Sequence, residues 1–221
     1  TAGFTKEQLA AISEQGYSIS NGKIIDSNNN EYPDGLRRST GGSWEVITDT
    51  IKPLSSIKVG DKTFNLQKDG ITYNGLAVYT DSSGTLYSNK GEKINSGTIT
   101  RKETIGGLEV SLEVEVNGGK ISKTPTSASI GDTKISYSDY NEIKSYLKNA
   151  GENAIIDAYD GAIEVRNENG GLVVRREVTS VDGKDAVKIS TKFDENDRSL
   201  ESVTTVKTEN NGIITITESI T

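Results

Sequence analysis

Leu108-Glu109-Val110-Ser111-Leu112-Glu113-Val114-Glu115-Val116-Asn117 alternates apolar and polar residues without a break. Successive side chains of a strand point to opposite faces, so a period of two predicts a β-strand with one buried and one solvated face. Glu109, Glu113 and Glu115 fall on the polar face. They are expected to oppose basic residues on neighbouring strands, with a cation site as the alternative.

The same reading extends outward. Toward the C-terminus, candidate strands run over 162–167, 172–179, 186–193, 200–208 and 212–218. Asn169-Gly170-Gly171, Asp182-Gly183, Glu195-Asn196-Asp197 and Asn210-Asn211-Gly212 separate them, residue types that supply the positive φ of tight hairpins. A meander follows. Toward the N-terminus, Asn21-Gly22, Asp69-Gly70, Asn74-Gly75, Ser83-Gly84 and Asn117-Gly118 repeat the pattern.

Two segments read as helices. Thr5 is an N-cap with Gln8 three residues on, Phe4 and Leu9 are spaced as a hydrophobic staple, and Gly16 ends the run. In the second, Asp139 is the expected cap, with Glu142 at the third position. Ile143, Tyr146 and Leu147 form the apolar stripe, and Gly151 closes it. Each short helix must dock on a sheet to be stable. The fold class expected is α+β, mostly antiparallel β. It comprises two small modules of like layout, residues 1–124 and 125–221, each with one short helix packed on hairpins. The boundary lies in Lys123-Thr124-Pro125-Thr126-Ser127.

Composition bounds the function. The 221 residues include no Cys, no His and no Met. Thiolate chemistry, disulfides, imidazole bases and Cys- or His-ligated metals are thereby removed. A chain without Met is expected to be a processed form or an excised piece. Apolar residues make up only 32%, and aromatics are 9 Tyr, 3 Phe and 1 Trp, so the core is expected to be thin and aliphatic. The net charge of −7 argues against nucleic acid as a partner. Membrane insertion is not expected, because no apolar run approaches the length of a bilayer span.

The remaining motifs are weak. Asp26-Ser27-Asn28-Asn29-Asn30 starts like a calcium loop but has Glu31 where Gly is needed and Arg37 where Glu is needed, so a polar hairpin loop is expected. Asp194, Glu195 and Asp197 are likewise read as a turn. Ser55-Ser56-Ile57-Lys58 matches the S-x-x-K of serine penicillin-recognising enzymes, yet its context reads as strand and turn. Arg175-Arg176 sits in a strand, so one guanidinium is expected to face solvent and the other a neighbouring strand or partner chain, with cross-strand pairing to Glu as the expected role. Trp44 is expected in a module core. No catalytic, cofactor-binding or metal-ligating residue is singled out, and no cofactor is expected.

Asn141–Gly151, the turns at Asp160-Gly161, Asn169-Gly170-Gly171 and Asp182-Gly183-Lys184, and the run Gly75–Gly84 together resemble the outer domains of bacterial flagellins and related flagellar axial proteins. The likeness is one of composition and turn style over most of the chain. It implies a secreted, non-catalytic subunit on the cell surface whose partners are copies of itself or other subunits of a filament or surface layer. Flagellins carry long helical termini with heptads, and neither end here has them, so the likeness implies the outer part alone. The alternative expectation is an adhesin or phage-tail-type module that binds surface glycans.

Overall fold

A computed structural model describes residues 3–221. The fold is α+β and mostly antiparallel β, with two short helices and several sheets among the described residues. It folds as two compact units. Unit 1 holds the residues up to Thr100 and Glu115–Ser122, and unit 2 holds Arg101–Val114 and Lys123–Thr221. The chain thus passes between them three times. A single cut at 124/125 would place Arg101–Val114 with the first unit; these residues count with the second.

Unit 1 opens with α1 (Lys6–Glu14). Thr5 Oγ1 accepts from the Gln8 amide at 3.2 Å and Gln8 Oε1 accepts from the Thr5 amide at 2.9 Å, the capping box expected. Leu9 is left 44% exposed, and Ile12 is the buried helix residue. Short strands follow: β1 (Ser18–Ser20), β2 (Lys23–Ile25), β3 (Asn30–Glu31), β4 (Leu36–Arg38), β5 (Trp44–Val46), β6 (Lys52–Pro53), β7 (Ser56–Val59), β8 (Lys62–Leu66), β9 (Thr72–Tyr73), β10 (Leu76–Ala77), β11 (Tyr79–Thr80) and β12 (Leu86–Tyr87). Apart from β9 and β10, which pair with each other, they form the sheets β1-β2-β3-β6 and β12-β11-β8-β7 and the pair β4-β5. Ile12 packs with Ile24, Tyr32 and Val46. Gln15 ties the helix to β5, its Oε1 accepting from the Val46 amide at 3.1 Å and its Nε2 donating to the Trp44 carbonyl at 3.0 Å. A second cluster joins Ile25, Leu54, Ile57, Phe64 and Tyr79.

The ten-residue strands β13 (Ser96–Ile105) and β14 (Leu108–Asn117) contribute residues to both units. Within unit 1, β14 pairs with β15 (Lys120–Ile121), and Thr100 of β13 pairs with Thr72 of β9. In unit 2, β14 pairs with β16 (Ser127–Ile130), which pairs with β17 (Thr133–Ser136). Val110, Leu112, Val114 and Val116 are all buried, as the alternation predicts. The opposite face meets lysines: Lys102 lies 2.9 Å from Glu109 and Lys134 2.8 Å from Glu113.

Helix α2 (Tyr137–Ala150) begins earlier than expected. Ser136 is the cap, its Oγ accepting from the Asp139 amide at 3.1 Å, so Asp139 sits at the third helical position. The physical reason is packing: the earlier start places Tyr140, which is fully buried, on the face that also carries Ile143. Strands β18 (Ile155–Tyr159), β19 (Ala162–Arg166), β20 (Leu172–Val181), β21 (Lys184–Phe193), β22 (Ser199–Asn210) and β23 (Ile213–Ile220) then form an antiparallel meander in chain order. β18 has no counterpart among the strands expected. Its turn, like two later ones, has positive φ at both central residues: Asp160-Gly161, Asp182-Gly183 and Asn211-Gly212. The core of unit 2 lies where α2 meets the sheets, and includes Leu112, Ile130, Tyr140, Ile163 and Val174.

Gly106 turns β13 into β14 at φ +51, and its carbonyl accepts from the Ile156 amide at 3.1 Å. A Cβ there would lie 2.9 Å from that amide nitrogen. Gly107 has φ +78 and open space around it. Gly106→Ala is therefore expected to destabilise the protein by about 2–3 kcal/mol and Gly107→Ala by about 1 kcal/mol, as read from urea unfolding.

Candidate functional site

Several acidic and amide side chains fasten local loops. Asp26 Oδ1 accepts from the amides of Asn28 and Asn30 at 2.8 and 3.0 Å, and Tyr32 donates its hydroxyl to Oδ2 at 3.2 Å. Asp81 does the same with the amides of Ser83 and Thr85 and the hydroxyl of Tyr87. Asn167 and Asp194 each take the amides two and four residues on, as does the hydroxyl of Ser88. Ser39 takes the amide four residues on. In all these loops the first residue's amide donates to the fifth residue's carbonyl, and the fourth residue has positive φ. They share one design, a three-residue turn whose αL position is filled by Gly, Asn or Asp. The sequence signal, Asp/Asn/Ser-x-x-Gly/Asn/Asp-x, is short, and it accounts for the calcium-like stretch at Asp26. Among the described residues no three acidic side chains gather as a cation site.

These interactions set the titration of the carboxylates. Burial opposes ionisation of Asp26, but the side chain and amide of Asn30, the Asn28 amide and Tyr32 outweigh it and hold the pKa below the usual range. The Ser83 hydroxyl leads the donors that hold Asp81 down to about 2, with burial opposing. Lys134 and then Ser127 lower Glu113.

The sheet β18–β23 presents two faces, each with one unusual charged group. On one face Glu164, 2% exposed, opposes Arg175 across β19 and β20. Its carboxylate accepts from Arg175 Nε at 2.7 Å, from Arg166 Nη2 at 3.0 Å and from the Tyr159 hydroxyl. Burial raises its pKa, yet these donors prevail and the group is held ionised. Arg166 also reaches Asp197 at 2.8 Å, and Arg175 lies 5.5 Å from the Phe193 ring centre.

On the other face, beneath α2, Arg176 is 7% exposed. Its Nη2 donates to Asp139 Oδ2 at 3.2 Å, while Nε and Nη1 have no hydrogen-bond partner. Arg175 makes the expected cross-strand pair with Glu, but neither guanidinium faces solvent freely: α2 covers Arg176 and the Glu164 network holds Arg175. Arg176 borders a groove of about 600 Å³, lined by Ile143 and Tyr146 of α2 and by Val174, Ile189 and Ile216 of the sheet.

Comparison with protein-family models, curated proteins and solved structures finds no match. The other sequence candidates stay apart from these clusters. Ser56-Ile57-Lys58 lies in β7, where Ser55 and Lys58 cannot share a helix face. Trp44 is only half buried and, unlike Val46 of the same strand, lies outside the core clusters, with the Arg38 guanidinium 4.3 Å from its ring centre. Arg37 approaches Glu45 and Asp49 at 3.9 and 3.8 Å on the surface.

Proposed function

We propose that this chain is a non-catalytic structural domain, exposed on an extracellular bacterial filament or surface layer in the manner of the outer domains of flagellins. The observation that supports this reading is the use made of its ionisable groups. Each carboxylate whose pKa departs from the ordinary value is lowered, and each is saturated by donors of its own chain. A general acid needs the opposite, a carboxyl raised by apolar surroundings. Here carboxylates fasten turns and strands. A scaffold of short sheets locked by side-chain-capped loops suits a domain that presents a surface.

The test is location. Antibodies raised against the chain, applied to intact cells of its native source with gold labelling, are expected to decorate filaments or a surface layer. Label confined to broken cells would overturn the proposal.

A glycan-binding module is the second reading. Tyr159 favours it, a ring 48% exposed whose hydroxyl rests on Glu164 beside two arginines. Sugar binding that Tyr159→Ala abolishes on a glycan array would favour this reading over the first.

A further inference from the structure

We propose that the outer edge of β23 is a self-association site, pairing antiparallel with β23 of a second copy about a two-fold axis at Thr217. The argument begins with the ladder. Ser202 and Thr221 exchange both backbone hydrogen bonds, at 2.9 and 3.0 Å. Antiparallel pairs alternate between bonded and non-bonded residues. The odd-numbered residues of Ile213–Thr221 therefore bond to β22, and Ile214, Ile216, Glu218 and Ile220 turn their N–H and C=O groups outward. Among the described residues β23 is last in its sheet, and all eight of its residues are exposed.

Edge strands that stay single are usually protected by Lys, Pro, a bulge or short length. β23 has none of these: Ile213-Ile214-Thr215-Ile216-Thr217-Glu218-Ser219-Ile220 pairs with β22 without a register shift. Ile213, Ile216 and Ile220 are 68%, 61% and 77% exposed. Other edges are managed. β18, at the far side of the same sheet, is five residues long and carries Asp157, β1 is three residues long and β12 two.

The occupant follows from self-complementarity. With the axis at Thr217, the whole of Ile213–Thr221 overlaps its copy. Ile214 then opposes Ile220, Ile216 opposes Glu218, and Thr215 opposes Ser219. Opposed residues share a face, so apolar meets mainly apolar and hydroxyl meets hydroxyl. The strand's one charge, Glu218, meets Ile216 rather than itself. All four outward residues find bonded partners, about eight hydrogen bonds in total. The contact is narrow for a stable interface, so a dimer with Kd in the micromolar range is expected. A charge of −7 on each copy opposes it, and added salt should strengthen it. The inference is independent of the chain's location.

Three variants of the full chain test it. Glu218→Pro removes an N–H that β22 does not use, so the fold is kept while the dimer weakens at least tenfold in sedimentation. Thr217→Cys places one thiol beside its own copy across a non-bonded pair, where Cα atoms are about 4.5 Å apart, within disulfide reach. With no other Cys in the chain, oxidised glutathione should take two electrons from the paired thiols and leave a covalent dimer. Thr215→Cys, whose copy lies four residues off register, should cross-link far less. A wild-type chain that sediments at 23.7 kDa up to about 1 mM, or a Thr215→Cys chain that cross-links as readily as Thr217→Cys, overturns the proposal.

Discussion

Replacing Glu164 by Leu is expected to destabilise unit 2 by about 3–5 kcal/mol, the cost of removing one partner from a buried ionic network. The carboxylate is 2% exposed and is the common acceptor for Arg175, Arg166 and Tyr159. Leu fills the space but accepts nothing. Arg166 keeps Asp197 and the Gly170 carbonyl, and Arg175 keeps the Asp197 carbonyl, yet both guanidiniums lose their buried counter-charge. Glu164→Gln retains one acceptor oxygen and is expected to cost roughly half as much. Urea unfolding of the two variants measures this, and a loss under about 1 kcal/mol for Leu would remove Glu164 from the account of stability.

The same network predicts an acid limb. The folded-state pKa of Glu164 is depressed, so its contribution is fully present above the unfolded pKa of about 4.3 and is lost as pH falls through the folded value. Asp26 and Glu113 shift in the same direction, and Asp81 is held to about 2. Stability should therefore decline from about pH 4 downward and continue to fall toward pH 2. In Glu164→Leu that decline should be shallower, because one of the groups that drives it is gone.

The residues that were legible in the sequence are those whose signal is local. Thr5 and Gln8 form their capping box because both partners lie within one turn. Leu108–Asn117 is a strand because ten residues of alternation override any competing preference. The Asp182-Gly183 and Asn211-Gly212 turns take positive φ because their residue types tolerate it. What stayed illegible depends on pairing across the chain. Glu164 sits between Ile163 and Val165 in Ala162–Arg166, and only the register of β19 against β20 brings Arg175 opposite it. Arg175 and Arg176 are adjacent in sequence but serve opposite faces, a consequence of strand geometry whose destinations are set by α2 and β19. The passage of Arg101–Val114 into unit 2 is likewise invisible, since Leu108–Asn117 reads as one uninterrupted strand although its residues divide between the units.

The start of α2 lies between these cases and yields the second large effect. Asp139 with Glu142 carries the capping signal legible in the sequence, whereas the cap in the structure is Ser136, three residues earlier. Burial decides between them. Tyr140 is fully buried in the unit 2 core, its hydroxyl donates to the Glu103 carboxylate, and the Lys144 ammonium lies 5.3 Å from its ring centre. Burial, then Glu103, pushes its pKa well above the ordinary range, so the ring stays neutral. Tyr140→Ala is expected to cost about 3–5 kcal/mol, through lost transfer of an aromatic ring and the cavity left behind. Tyr140→Phe keeps the ring and gives up one hydrogen bond to a charged acceptor, so about 1.5–2 kcal/mol is expected. Circular dichroism and urea unfolding separate the two. If the helix docked only by the later stripe, Tyr146→Ala would cost more than Tyr140→Ala. The opposite order is expected, because Tyr146 stays partly exposed while Tyr140 anchors the turn that also holds Asp139 against Arg176.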